Sequence, residues 1–213
     1  MVRIMTDNAA NLPPELREQY NIREICLTYT VDGRLVDGSA PFDGHDFYEA
    51  LRRGAEVKTS MIPPQRFAEY WEPLLQSDLD ILFLSASSGI SSSYQSATIA
   101  ARQLEESYPE RKIRVVDTLS STLGEGLLVL RAFALREKGM SLDETADTIL
   151  SLRPYIAHYF TVDDLLYISR GGRVSGAKAL LGTVLGIKPL LKGDPQGKIV
   201  CFAKLRGRQR AIE

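Results

Sequence analysis

Apolar residues in this chain follow two rhythms. Continuous short runs at 2–5, 25–31, 81–84 and 113–116, bounded by polar or turn residues, predict strands. The run Ile81-Leu82-Phe83-Leu84 has the signature of a strand buried on both faces. Between the runs, apolar residues recur at helical spacing. Phe47, Tyr48 and Leu51 mark one such segment, and Phe67, Tyr70, Trp71 and Leu74 another. Residues 97–106, 127–137 and 141–152 read the same way. Strands alternating with helices predict an α/β fold built on a doubly wound parallel sheet. Asp32-Gly33 is a tight-turn signal inside an excursion that returns through Arg34-Leu35-Val36.

The character changes after Pro154, which stops the last of these helices. Residues 157–162 predict a strand, and Asp163 to Tyr167 a short helix. Arg170-Gly171-Gly172-Arg173 then forms a turn before a Gly/Ala-rich helix over 174–185. Residues 187–191 and 198–205, joined through Asp194-Pro195-Gln196-Gly197, predict a β-hairpin. The expected division is a parallel-sheet domain over 1–155 and the start of a second α/β domain over 156–213. That second domain is expected to be incomplete, because Arg206 to Glu213 reads as the first turns of a helix with no apolar face finished.

Candidate chemistry gathers at the predicted strand ends. Ser87, Ser88, Ser91, Ser92 and Ser93 lie between the strand at 81–84 and a helix start, with Gly89 as the permissive backbone position. A small-residue loop leading into a helix amino terminus offers unpartnered N–H groups and a favourable dipole for an anion. One serine there would be explained by capping alone; five hydroxyls exceed what a cap requires. Asp7, Ser88 and the pair Asp117-Thr118 fall at carboxyl ends of strands, where open α/β sheets collect ligands. Thr59-Ser60 forms a second hydroxyl cluster, placed just before a helix. Gly124 and Gly126 suit close helix packing better than a phosphate loop.

Composition narrows the classes of activity. The 213 residues carry 26 basic and 27 acidic side chains, a net charge of −1, so no electrostatic footprint for nucleic acid is present. No secretory or membrane-spanning run occurs, and Cys26 and Cys201 follow no metal or disulfide spacing; a reducing cytoplasm is expected. The two histidines, His45 and His158, sit in no nucleophile motif, and G-x-S-x-G is absent. Neither G-x-x-x-x-G-K-[ST] nor G-x-G-x-x-G is met, and no grouped metal ligands are visible. No catalytic residue, metal or cofactor is expected. Neutral hydroxyls able to donate to a carboxylate or phosphate remain, which favours binding over catalysis. The alternative is a small-molecule acyl or phosphoryl transferase using the same serine loop.

Taken in order, Thr6-Asp7-Asn8, Lys58-Thr59-Ser60, the run from Ser87 to Ala97, Asp117-Thr118 and Gly171-Gly172-Arg173 give the whole chain a family likeness. It resembles the DegV family of bacterial fatty-acid-binding proteins, which includes the acyl-carrying B subunits of fatty acid kinase. The resemblance implies two α/β domains with a long-chain fatty acid between them. The acyl carboxylate would be held by Thr59 and Ser91, with Ser60, Ser92 and Ser93 beside them. The apolar stretch 174–191 would line a tunnel. A separate ATP-dependent kinase subunit would form the acyl phosphate, contacting Arg173 and Arg206, and lipid exchange would involve transient membrane contact. Ser92 and Ser93 stand where the family pattern has Gly-Thr, Ile62-Pro63 where it has Pro-Ser, and Asn8-Ala9-Ala10 where it has a more polar run.

Overall fold

The computed structural model describes residues 1–38, 42–163, 165–174 and 186–213. Its centre is a four-stranded parallel sheet in the order β2-β1-β6-β7. The strands are β1 (Val2–Asp7), β2 (Arg23–Ile25), β6 (Asp80–Ser85) and β7 (Ile113–Asp117). From β1 the chain first steps to β2 on one side. It later returns to β6 on the other, which makes the β1–β6 boundary the topological switch point. Register runs Thr6 opposite Leu84 and Ser85 opposite Asp117, so the polar strand ends fall on one edge.

Helices cover both faces, as the two-sided apolar runs require. α3 (Pro64–Gln76) and α4 (Ser93–Ser107) pack on one face, where Phe67, Trp71 and Phe83 meet as a tilted aromatic trio with centroids 5.0–5.5 Å apart. On the other face lie α1 (Pro14–Gln19), α5 (Thr122–Glu137) and α6 (Leu142–Leu152), built around Ile4, Leu84, Leu128 and Phe133. α6 opens on a complete capping box between Ser141 and Glu144. Close packing does account for the two α5 glycines. A Cβ at Gly126 would press on the Ala10 carbonyl and Leu12 at 3.0 Å, and one at Gly124 on Ser120 and Ile156.

Residues 25–31 do not form one strand. Ile25 ends β2 in the parallel sheet. Tyr29–Val31 (β3) pairs antiparallel with β4 (Arg34–Val36) and β5 (Val57–Thr59) in a separate small sheet. The break falls at Leu27, whose N–H is taken by Asn8 Oδ1 at 3.0 Å and so is lost to any ladder. Thr59 accordingly closes a strand and does not sit immediately before a helix. α2 (Gly44–Arg52), capped by Asp43, completes this excursion.

A third sheet, β10-β9-β8, is antiparallel: β8 (Tyr159–Thr161), β9 (Ile187–Gly193) and β10 (Ile199–Arg206). The expected hairpin is present as β9–β10, with a register shift at Phe202 between Cys201 and Ala203. α7 (Leu165–Arg170) and a short helix, Arg208–Ile212, flank it. Most of the helix expected over 174–185 lies outside the described residues. Among those described, no helix is long and apolar enough to cross a membrane.

Candidate functional site

β1 and β6 deliver Asp7 and Ser85 to the switch point, and a cavity of about 690 Å³ opens there. Among the described residues its lining includes Asp7 and Asn8 at the end of β1, Thr59 and Ser60 at the end of β5, and Ser88 to Ser92 from the loop entering α4. Three segments far apart in sequence thus meet at one cavity, two of them bringing hydroxyls and the first a carboxylate and an amide.

The serine loop is held from behind. Asp117 Oδ1 accepts the Ser88 N–H at 3.1 Å and the Leu119 N–H at 3.0 Å, while the Thr118 hydroxyl donates to the Ser85 carbonyl at 2.8 Å. Asp117 and Thr118 do not line the cavity: their polar atoms are spent on shaping the loop. Ser87 is also buried. It donates to the Gly197 carbonyl at 2.8 Å and accepts the Gly89 N–H at 3.0 Å. The loop is therefore clasped by the β9–β10 turn.

Ser93 stands behind Ser91 and outside the cavity, fully buried. Its Oγ accepts the Ile62 N–H at 3.1 Å and lies 3.0 Å from Ser91 Oγ, which itself accepts the Ser93 N–H at 3.2 Å. Hydroxyl hydrogens rotate. When Ser93 donates to Ser91, the Ser91 hydrogen is free to turn into the cavity. Ser91 is half-buried, and Thr59, Ser60 and Ser92 are exposed at the rim.

Asp7 is the buried anion of the site. Oδ1 accepts from Ala9 N–H at 2.9 Å and Oδ2 from Ala86 N–H at 3.0 Å, so both oxygens are engaged. Burial outweighs these two bonds and pushes its pKa up to about 6, with Glu24 adding a smaller repulsive contribution. The cation of the lining is Arg173, exposed, donating to the Ile90 carbonyl at 3.3 Å and the Gly171 carbonyl at 2.6 Å. Arg206, by contrast, lies on β10 opposite Ile187. Sequence reasoning missed Leu27, Thr28 and Tyr29 as lining residues, because the excursion that carries them gives no chemical signal, and it missed Asn8, in the turn after β1. It also missed Glu125, a buried acid in the first turn of α5. The run Gly124-Glu125-Gly126 inside an apolar helix was the available signal.

A second cavity, about 920 Å³, begins where the first ends and shares Ile90 and Ser121 with it. Its walls include Leu119, Ile156, Tyr159, Phe160 and Ile199, with the charged side chains of Arg153, Lys192 and Asp194 also in the lining. His158 also lines it, 3.2 Å from the Thr122 hydroxyl, and burial lowers the imidazole pKa. Among the described residues no cluster of three metal-ligating side chains occurs. A hydroxyl-rich cavity with Arg173 in its lining, adjoining one with a larger share of aliphatic and aromatic wall, suits an amphipathic anion.

Known proteins with this chain's features are consistent among themselves. DegV domain-containing protein YteA of Lactococcus lactis is 40% identical over 212 residues, covering 99% of this chain and 73% of that protein. The chain superposes on a fatty-acid-binding DegV family protein from Thermus thermophilus with a TM-score of 0.85 and 32% identity, covering 99% of this chain and 73% of the other. It matches DegV of Bacillus subtilis, described as a fatty acid binding protein, with a TM-score of 0.84 and 31% identity, over 99% and 74% of the two chains. The family description "Uncharacterised protein, DegV family" matches residues 1–213, the full length given. The chain belongs to the DegV family.

Proposed function

We propose that this protein binds a long-chain fatty acid, with its carboxylate in the hydroxyl-lined cavity and its chain running past Ile90 into the more apolar one. The observation that carries this reading is the contiguity of the two cavities: donors in the first, aliphatic and aromatic walls in the second. Both volumes fall in the range of small-molecule sites, about 300–1,000 Å³. Ser91 and Thr59 donate to the carboxylate, and the amide hydrogens of the first turn of α4 add a favourable field. Ser60, Ser92 and Ser88 complete the polar rim. Arg173 lies beside the mouth, where it attracts the anion and remains exposed to a partner. Fatty acid binding by the Thermus and Bacillus relatives supports the reading.

The chain carries no phosphate-binding loop of its own, so we assign acyl-phosphate formation to a separate ATP-dependent kinase, with this protein as the non-catalytic carrier. Lipid extraction of the purified protein followed by mass spectrometry tests the binding step. Stoichiometric co-purified long-chain fatty acid is expected. A protein that stays empty when offered palmitate, and instead turns over a soluble acyl or phosphoryl donor, would replace the carrier with a transferase.

A further inference from the structure

The excursion that delivers Thr59 has no core. From Cys26 to Met61 not one described residue is fully buried, whereas both flanks are anchored by buried isoleucines, Ile25 and Ile62. Its internal support is the small β4-β3-β5 sheet, a half-buried Phe47 touching Tyr29, Phe42 and Tyr48, and an Asp32–Glu56 backbone staple. Segments with so little burial open locally at low free energy. Yet this segment supplies Leu27, Thr28, Tyr29, Thr59, Ser60 and Met61 to the wall of the head-group cavity.

Its attachment is concentrated at the neck. Asn8, in the turn after β1, accepts the Leu27 N–H at 3.0 Å. Gly38, at the other side of the neck, packs so closely that a Cβ would collide with the Leu27 carbonyl and sit 3.2 Å from Asn8 Nδ2. At the exit, the Ile62 N–H bonds Ser93 Oγ, the group that also contacts Ser91. Further ties among the described residues include an Arg66–Asp37 ion pair at 3.7 Å, weak between partly exposed groups, a Ser96 hydroxyl contact to Met61 Sδ at 3.8 Å, and Leu27 packed against the core at the neck.

We infer that the described part of the excursion, residues 26–38 and 42–61, is a clasp closed by the ligand, and that Asn8 is the positioning residue that aims it. This rests on the fatty acid reading: an acyl carboxylate bridging Ser91 in the loop between β6 and α4 and Thr59 on the excursion supplies the tie that burial does not. Binding then orders the excursion, and loss of the Asn8 bond loosens it without touching either donor.

The test is hydrogen exchange with and without palmitate, followed by mass spectrometry, on wild type and Asn8→Ala. Palmitate is expected to slow exchange several-fold at 28–31 and 57–60, with little change in β6. Asn8→Ala is expected to release palmitate about five- to tenfold faster, the worth of one partly buried hydrogen bond. It should speed exchange in the excursion while β6 and α4 keep their protection. Palmitate binding that leaves exchange over 26–61 unchanged overturns the clasp and leaves the fatty acid reading standing. So does an Asn8→Ala protein that exchanges and releases like wild type. A protein that takes up no palmitate overturns both.

Discussion

The hydroxyl of Thr6 faces two acceptors at 2.9 Å, the Leu84 carbonyl and Glu125 Oε1, and it has one hydrogen to give. A carbonyl can only accept. Both contacts are satisfied together when Glu125 is protonated and donates to Thr6. Burial, with Asp7 as the next cause, drives the Glu125 pKa well above the carboxylate range, and its other oxygen has no hydrogen-bond partner among the described residues. The folded protein therefore binds more protons than the unfolded chain over the window from the ordinary carboxyl pKa upward. For Asp7 that window closes at about 6, and for Glu125 it runs well above the ordinary glutamate value. Stability from these groups is full in acid and is lost as pH rises through the window. His158, lowered by burial, acts in the opposite sense. The comparison that isolates Glu125 is Glu125→Gln, which keeps a donor for Thr6 and cannot ionise. We expect its melting temperature to exceed wild type at pH 8 by several degrees, with the gap shrinking towards pH 5. A constant gap across that range would show that Glu125 is not the titrating group.

Among the elements, the β9–β10 turn joins the third sheet to the site. Gly197 adopts φ of +71°, and a Cβ there would collide with Ser87 Oγ and press on Leu119 at 3.0–3.1 Å. Gly89 faces the same turn, 2.7 Å from where its Cβ would meet the Gln196 and Gly197 carbonyls. Gly197→Ala should therefore lower stability by about 1–3 kcal/mol, through strain at a positive φ and the lost Ser87 bond. It should also weaken palmitate binding, because the displaced Ser87 no longer shapes Gly89 to Ser91. Thermal melts and titration of that variant check both; wild-type behaviour in each would show that the turn is not coupled to the loop. Elements were legible where burial is two-sided. The runs at 81–84 and 113–116 are β6 and β7, and Gly124 and Gly126 do serve close packing, while the sequence pattern alone does not assign the buried role of the Glu125 between them. The run at 25–31 was misread because apolar continuity cannot reveal that Asn8, nineteen residues earlier, removes the Leu27 N–H from the ladder.

For the molecule as a whole, the parallel sheet and its two helical layers follow from the alternation of strand and helix patterns, and so does a polar edge at the switch point. Thr59, Ser60, Ser88, Ser91, Ser92 and Asp7 were all marked in the sequence, and all reach the first cavity. Ser93, Asp117 and Thr118 were marked for the same reason but stand behind it. Residue type and strand-end position fix which groups come near the edge; hydrogen bonds between distant loops decide which face it. Arg173 shows the same limit, since a Gly-Gly turn signals exposure and says nothing about the cavity beside it. Whether neutral hydroxyls from two distant segments hold one carboxylate is read out by calorimetric titration with palmitate. A hydrogen bond to a charged group contributes about 1.5–3 kcal/mol, so Thr59→Ala and Ser91→Ala should each weaken binding roughly ten- to a hundredfold, and the double substitution further. A Thr59→Ala/Ser91→Ala protein that binds palmitate as tightly as wild type would contradict the account.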